Sequence, residues 1–143
     1  MGILRKEVTA AALNSRIQGF LPGLLGVEIV EVEEGRLTGR MKITSTHLAP
    51  NGFFHAGGVV TLADTLCGCG AAAHLPDGAA GFTTVELKSN HLGTALEGTL
   101  FCVAEAQHLG RTTQVWDAVV TEENTGKKIA LFRCTQMVLR PKK

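Results

Sequence analysis

In the stretch "RLTGRMKIT", Leu37, Met41 and Ile43 fall on one side of an extended chain and Arg36, Thr38, Arg40 and Lys42 on the other. That alternation is the mark of a strand with one wet face. The preceding segment Gly26 to Glu33, "GVEIVEVE", alternates too, and Glu34-Gly35 between them predicts a hairpin turn. Four more extended segments follow late in the chain: Gly81 to His91, Glu97 to Gln107, Arg111 to Glu122 and Lys127 to Leu139. They are separated by "LGTAL", "HLG" and "ENTG", each with a turn glycine. Two other regions break the alternation. Residues 6–24 read as a helix or two short pieces, with Pro22-Gly23 as punctuation. Ala56 to Ala73 is free of proline and rich in Ala, Leu and Val, and it predicts a long apolar helix that Pro76-Asp77-Gly78 ends.

The order is thus helix, two strands, long helix, four strands, with no repeat or linker, so a single α+β domain over 1–143 is expected. A helix this apolar needs cover, and only the sheet supplies enough. Its small residues Gly57, Gly58, Ala63, Gly68, Gly70 and Ala71 would admit a curved sheet closely, which predicts an antiparallel sheet wrapped round a central helix. Composition narrows the function classes. A net charge of +1 with 19% charged residues lacks the basic face of a nucleic-acid binder. The run from Ala56 to Leu75 holds Asp64, His74 and four glycines, a poor membrane span. The first residues carry charges where a signal peptide would be apolar, so a cytoplasmic location is expected. The cysteines at 67, 69, 102 and 134 form no Cys-x-x-Cys; they read as core thiols, and no metal is expected.

One charge stands out. Asp64 interrupts the small apolar helix, nine residues after His55 in "PNGFFHAGGVVTLADT". At 1.5 Å rise per residue the two lie about 13 Å apart along the axis, too far for a hydrogen-bonded dyad in one chain. Either they are unrelated, with Asp64 tied up by Thr61, Thr65 or a partner's backbone, or a site takes one residue from each of two chains. Two antiparallel helices side by side in a symmetric dimer would build such a site twice. The His55 end has chemistry to offer: the amides of Ala56 and Gly57, at a helix N-terminus, suit a developing oxyanion. A carboxylate from the neighbouring chain could then attack a carbonyl or activate water towards it.

The run "NGFFHAGGVVTLADT" resembles the G-x-x-H-G-G-x-x-x-x-L-x-D/E segment of hotdog-fold acyl-CoA thioesterases, in the group of the phenylacetate-pathway (PaaI-type) and one class of 4-hydroxybenzoyl-CoA thioesterases. The likeness extends from about Leu25 to Pro141, through "TTVELKSNHLGTALEGTLFCVAEAQHLGRTTQVWDAVVTEENTGKKIA". It implies the hotdog fold, dimers or pairs of dimers, sites at the dimer interface, an acyl-CoA substrate and no cofactor. It also implies Asp64 as catalytic base or nucleophile, His55 polarising the carbonyl, the Ala56 amide on the oxyanion and Thr84 positioning water. Gly57 and Gly68 would line the substrate site; Arg111, Thr112 and Arg140 would lie near coenzyme A. The sequence departs from the pattern at Ala49, where many relatives carry Asn or Gln; either Asn51, two residues on, substitutes for that amide or its role is absent. It departs again in "HAG" for "HGG" and at Gly68, a hydroxyl residue in some relatives. Two rivals remain. A hydratase or dehydratase of this fold would carry an acid shortly before the histidine, and none lies within the ten residues before His55. A non-catalytic acyl-CoA binding protein is compatible with Ala49.

Overall fold

The computed structural model describes residues 3–143. Thr9 opens α1 (Ala10–Ile17) by accepting the Ala12 amide on its hydroxyl, and after a break at Gln18–Phe20 comes the short α2 (Leu21–Leu25), with Pro22 in its first turn. The expected N-terminal helix is thus two pieces. The chain continues into β1 (Val27–Glu33), β2 (Arg36–Lys42), a 3-10 turn at Ser45–His47, and α3 (Ala56–Ala73). Then follow β3 (Gly81–His91), β4 (Thr99–Leu109), β5 (Thr113–Glu122) and β6 (Lys128–Leu139). The strands form one antiparallel sheet in the order β1-β2-β4-β5-β6-β3.

The alternation read from the sequence is the alternation of burial. Every second residue of β5, from Gln114 to Glu122, is buried, with Trp116, Ala118 and Val120 in the apolar core. The sheet curls round α3, which packs against β2, β4, β5, β6 and β3 and buries nine of its eighteen residues. By length and hydropathy alone α3 would also suit a bilayer crossing. Its environment here is the inside of the sheet. Close approach depends on two glycines, one on each partner. A Cβ at Gly70 of α3 would lie 2.7 Å from the Trp116 ring, and one at Gly39 of β2 would lie 2.8 Å from Leu66.

One strand is not where chain order suggests. β3 does not form a hairpin with β4; it pairs with β6 at the far end of the sheet. The connection 92–98 is long enough to cross, and it is tied down by the Leu92 and Gly93 amides on the Ile129 carbonyl. This leaves β3 as an edge strand of eleven residues with almost no cover on either face. At the opposite edge, Asn14 of α1 acts as a false strand neighbour: its side chain donates to Ile29 O and accepts from Ile29 N, both at 2.8 Å. That clamp fixes α1 against β1 beside the central helix.

Candidate functional site

The approach to α3 is held by His47. Its Nδ1 accepts from the Thr44 amide, its Nε2 bonds Leu25 O at 2.8 Å, and its backbone carbonyl receives the His55 amide at 2.9 Å. With Phe54 buried against the His47 ring, the next side chain is turned out, and His55 becomes the exposed N-cap of α3. His55 Nδ1 accepts from Gly57 N at 2.8 Å, so a neutral ring carries its proton on Nε2, facing away from the helix. This corrects one expectation. The Gly57 amide is occupied by His55 and is not open to a substrate; the Ala56 amide takes no partner among the described residues. A cap needs an acceptor, and in this sequence the histidine ring supplies it. Asn51 is exposed, with its Oδ1 committed to the Phe53 amide in the loop and its NH₂ group left over. Ala49 closes the same loop through its backbone, donating to Phe53 O and accepting from Gly52.

Asp64 lies two and a half turns on, in the wall of a cleft of about 360 Å³ between α3, the N-terminal helices and β3. Thr65, Gly68, Cys69 and Ala72 continue that wall along the helix, and Phe82 and Thr84 face it from β3. Asp64 Oδ1 is buried and has no hydrogen-bond partner. Burial raises the carboxyl above its ordinary value of 3.8. Thr61 does not quench it, because its hydroxyl bonds Gly57 O one turn back at 2.8 Å. Gly68 lines the same wall, and a Cβ there would lie 3.5 Å from the Phe82 ring, in ordinary contact.

Thr84 lies in the cleft as expected, but its hydroxyl donates to Gln136 Oε1 at 2.9 Å. Gln136 is fully buried on β6, opposite Thr84 in the register, and its Nε2 points to Cys134 Sγ at 3.4 Å. The sequence reading passed over Gln136, although it sits in the inward phase of β6 with Phe132, Cys134 and Val138, where an amide is out of place. It also passed over the cleft wall supplied by Leu13, Arg16, Ile17 and Phe20.

Arg111, Thr112 and Arg140 come together at a separate place. Arg140 donates to Asp77 O at 3.0 Å and to Arg111 O at 3.1 Å, while Thr112 O receives the Val138 amide. Arg111 lines a second cavity of about 500 Å³ with Arg5, which the sequence reading also missed and which is bonded to Leu75 O and Pro76 O. Within one chain this basic corner does not share the Asp64 cleft.

Known proteins place this geometry. The family model described as "Thioesterase superfamily" matches residues 51–129, from the loop before His55 to the start of β6. A 1,4-dihydroxy-2-naphthoyl-CoA hydrolase of Listeria monocytogenes is 35% identical over 83% of this chain and 95% of its own. A mutant of thioesterase PA1618 from Pseudomonas aeruginosa, with one glutamine changed to alanine, superposes with a TM-score of 0.89 at 30% identity, over 95% of this chain and 97% of that one. A thioesterase-like protein of Streptococcus pneumoniae, solved with coenzyme A, superposes with a TM-score of 0.73 at 25% identity, over 82% and 89% of the two chains. The helix wrapped by one antiparallel sheet is thus that of a hotdog-fold thioester hydrolase, and the chain belongs to the Thioesterase superfamily.

Proposed function

We propose that this protein hydrolyses acyl- or aroyl-CoA thioesters to the free acid and coenzyme A, at a site shared by two chains. The observation that carries the reading is Asp64: a buried carboxylate oxygen without a partner, in the wall of a largely apolar cleft. An unpaired buried acid is costly unless its reactivity is used. In this reading the thioester carbonyl rests against the Ala56 N–H and His55 Nε2–H of one chain, and Asp64 of the other chain faces the carbonyl carbon. As general base, Asp64 takes a proton from water while the water oxygen attacks. The carbonyl electrons move onto the oxygen held by Ala56 and His55, and collapse expels the thiolate, which takes the proton back. As nucleophile, Asp64 attacks the carbonyl carbon and the C–S bond breaks to expel the thiolate, leaving a mixed anhydride; water then cleaves this to the free acid and the restored carboxylate, with one proton of the water passing to the thiolate. Thr84, its hydroxyl hydrogen engaged by Gln136, offers its lone pairs to the water in either route. The basic corner of Arg5, Arg111 and Arg140 suits the coenzyme A phosphates, and coenzyme A occupies the related Streptococcus structure.

Two features support the shared site. His55, the cap of α3, and Asp64 within it are nine residues apart along one helix, about 13 Å along its axis. β3 offers an unpaired backbone edge, with Val85 and Leu87 exposed by 53% and 43%, of the kind a second copy can extend. The hydratase and binding-protein readings have no comparable observation behind them. The test follows free thiol released from a panel of acyl- and aroyl-CoA esters by wild type and Asp64→Ala. Release by wild type and its loss in the variant are expected; silence on every ester, or an unchanged variant, overturns the reading. Mixing inactive His55→Ala and Asp64→Ala chains under verified subunit exchange should restore part of the activity, since each mixed dimer holds one intact site. No recovery would mean that each site is built by one chain.

A further inference from the structure

His47 is buried, 5% exposed, eight residues before His55, and its ring is bonded at both nitrogens. Nδ1 accepts the Thr44 amide at 3.0 Å, so a neutral ring carries its proton on Nε2 and donates it to Leu25 O at 2.8 Å. Leu25 is the last residue of α2, and its carbonyl is one of those a helix end leaves without a partner of its own. The ring therefore ties the end of α2 to the turn at Ser45–His47.

These bonds would be plain scaffolding if the backbone of His47 led nowhere. It leads to the cap of α3. His47 O accepts the His55 amide at 2.9 Å, and the His55 carbonyl accepts the Gly58 amide at 2.9 Å. The backbone of His55 is thus held from both sides, by His47 before it and by the first turn of α3 after it. The peptide between His55 and Ala56 carries the Ala56 N–H, so its plane depends on both anchors. A second contact reinforces the first. The Phe54 ring centroid lies 5.5 Å from that of His47, and a Cβ at Gly58 would stand 2.9 Å from the same Phe54 ring. Phe54 is therefore wedged between the His47 ring and the first turn of α3. An apolar side chain at 47 could fill the space, but it could bond neither Thr44 N nor Leu25 O.

We propose that His47 is a positioning residue for the hydrolysis. Without touching substrate, its ring fixes the backbone of His55 and so aims the Ala56 N–H and the His55 Nε2–H at the thioester oxygen. Those donors matter most when charge develops on that oxygen, so losing their alignment lowers kcat and leaves KM nearly unchanged. The inference rests on the reading of this helix end as the oxyanion site.

Three substitutions divide the ring's contacts. His47→Phe keeps a ring against Phe54 and loses both hydrogen bonds; His47→Asn keeps an acceptor for the Thr44 amide; His47→Gln keeps a donor that reaches Leu25 O. On a thioester that wild type hydrolyses, His47→Phe should lower kcat per folded molecule about tenfold to a hundredfold, with KM changed by less than about twofold. His47→Asn and His47→Gln should each recover part of the rate, and they carry the test if the Phe variant does not fold. Nitrogen-15 NMR of the whole protein gives a readout that needs no turnover. The Ala56 and Gly57 amide signals and the His55 ring nitrogens should shift in the variants, while the amides of Asp64 and His74 stay in place. Unmoved Ala56 and His55 signals, or losses of rate that only follow the folded fraction, overturn the inference. Wild-type kcat in all three variants while His55→Ala is slow counts against His47 alone; wild-type kcat in His55→Ala counts against the oxyanion reading instead.

Discussion

Asp64 and His74 are two polar side chains on one apolar helix, and the molecule treats them in opposite ways. His74, at the C-terminal cap of α3, is fully buried with both ring nitrogens bonded: Nδ1 to Gly70 O at 2.7 Å and Nε2 to the Gly35 amide at 2.8 Å. Its carbonyl accepts from Gln114, whose Oε1 receives the Trp116 indole N–H. Nothing is left over for chemistry. Ten residues earlier, Asp64 has a buried oxygen with no partner at all. A polar group satisfied on every side holds a structure together, whereas one kept unsatisfied beside a cleft marks where a ligand or water completes the shell. The same helix is an architectural beam at one end and, in the proposed function, a reactive surface in its middle.

Breaking the reactive side should have the largest effect. Asp64→Asn keeps the shape and removes the base, so kcat/KM should fall by roughly a hundredfold to ten-thousandfold. Thermal melting should stay level or rise at neutral pH, because a desolvated charge without a partner has been removed. The pH dependence sharpens this. Burial raises the Asp64 pKa above 3.8, so the carboxylate needed for activity is lost on acidification at a higher pH than for an ordinary aspartate. The acid limb of the rate profile should therefore lie above 3.8 and vanish in the residual activity of Asp64→Asn. For stability the sign is opposite: folding favours the protonated form, so Asp64's contribution is fully present below the ordinary pKa and is lost as pH rises through the folded one. An activity limb at or below the ordinary value would mean that Asp64 is solvated in the working assembly.

Breaking the architectural side should act on stability alone. Gly70→Ala pushes a methyl to 2.7 Å from two carbons of the buried Trp116 ring and should cost about 1–3 kcal/mol of folding free energy. His74→Ala strands the Gly35 amide and should cost a similar amount, about 1–3 kcal/mol. Chemical denaturation measures both, and the activity of the folded fraction should stay near wild type. A variant in which rate per folded molecule drops with stability intact would erase the contrast between the two ends.

Much of this was legible beforehand, and the limits have physical causes. Alternation revealed the strands within a few residues because burial in a one-faced sheet has period two, and α3 matched its expected span because proline and glycine bracket it. The pairing of β3 with β6 is a non-local choice that local turn signals cannot encode. Asp64 and His55 stood out as polar residues against an apolar background. What escaped was partnership. That His55 consumes the Gly57 amide depends on a ring rotamer, and that Arg16 joins the Asp64 cleft depends on how Asn14 docks α1.

Gln136 lies between the two classes and should give the smallest effect. It is buried like His74, yet one of its bonds leads to Thr84, which faces the cleft. If it acts through Thr84, removing either residue frees the same water position, and removing both adds little. Gln136→Leu and Thr84→Val should each lower kcat about three- to tenfold with KM nearly unchanged, and the double variant should fall well short of the product. Thr84→Ser, which keeps the hydroxyl, should restore most of the rate. Additive losses, or losses that follow melting temperature, would move Gln136 to His74's side of the comparison, as a buried amide that serves only the sheet.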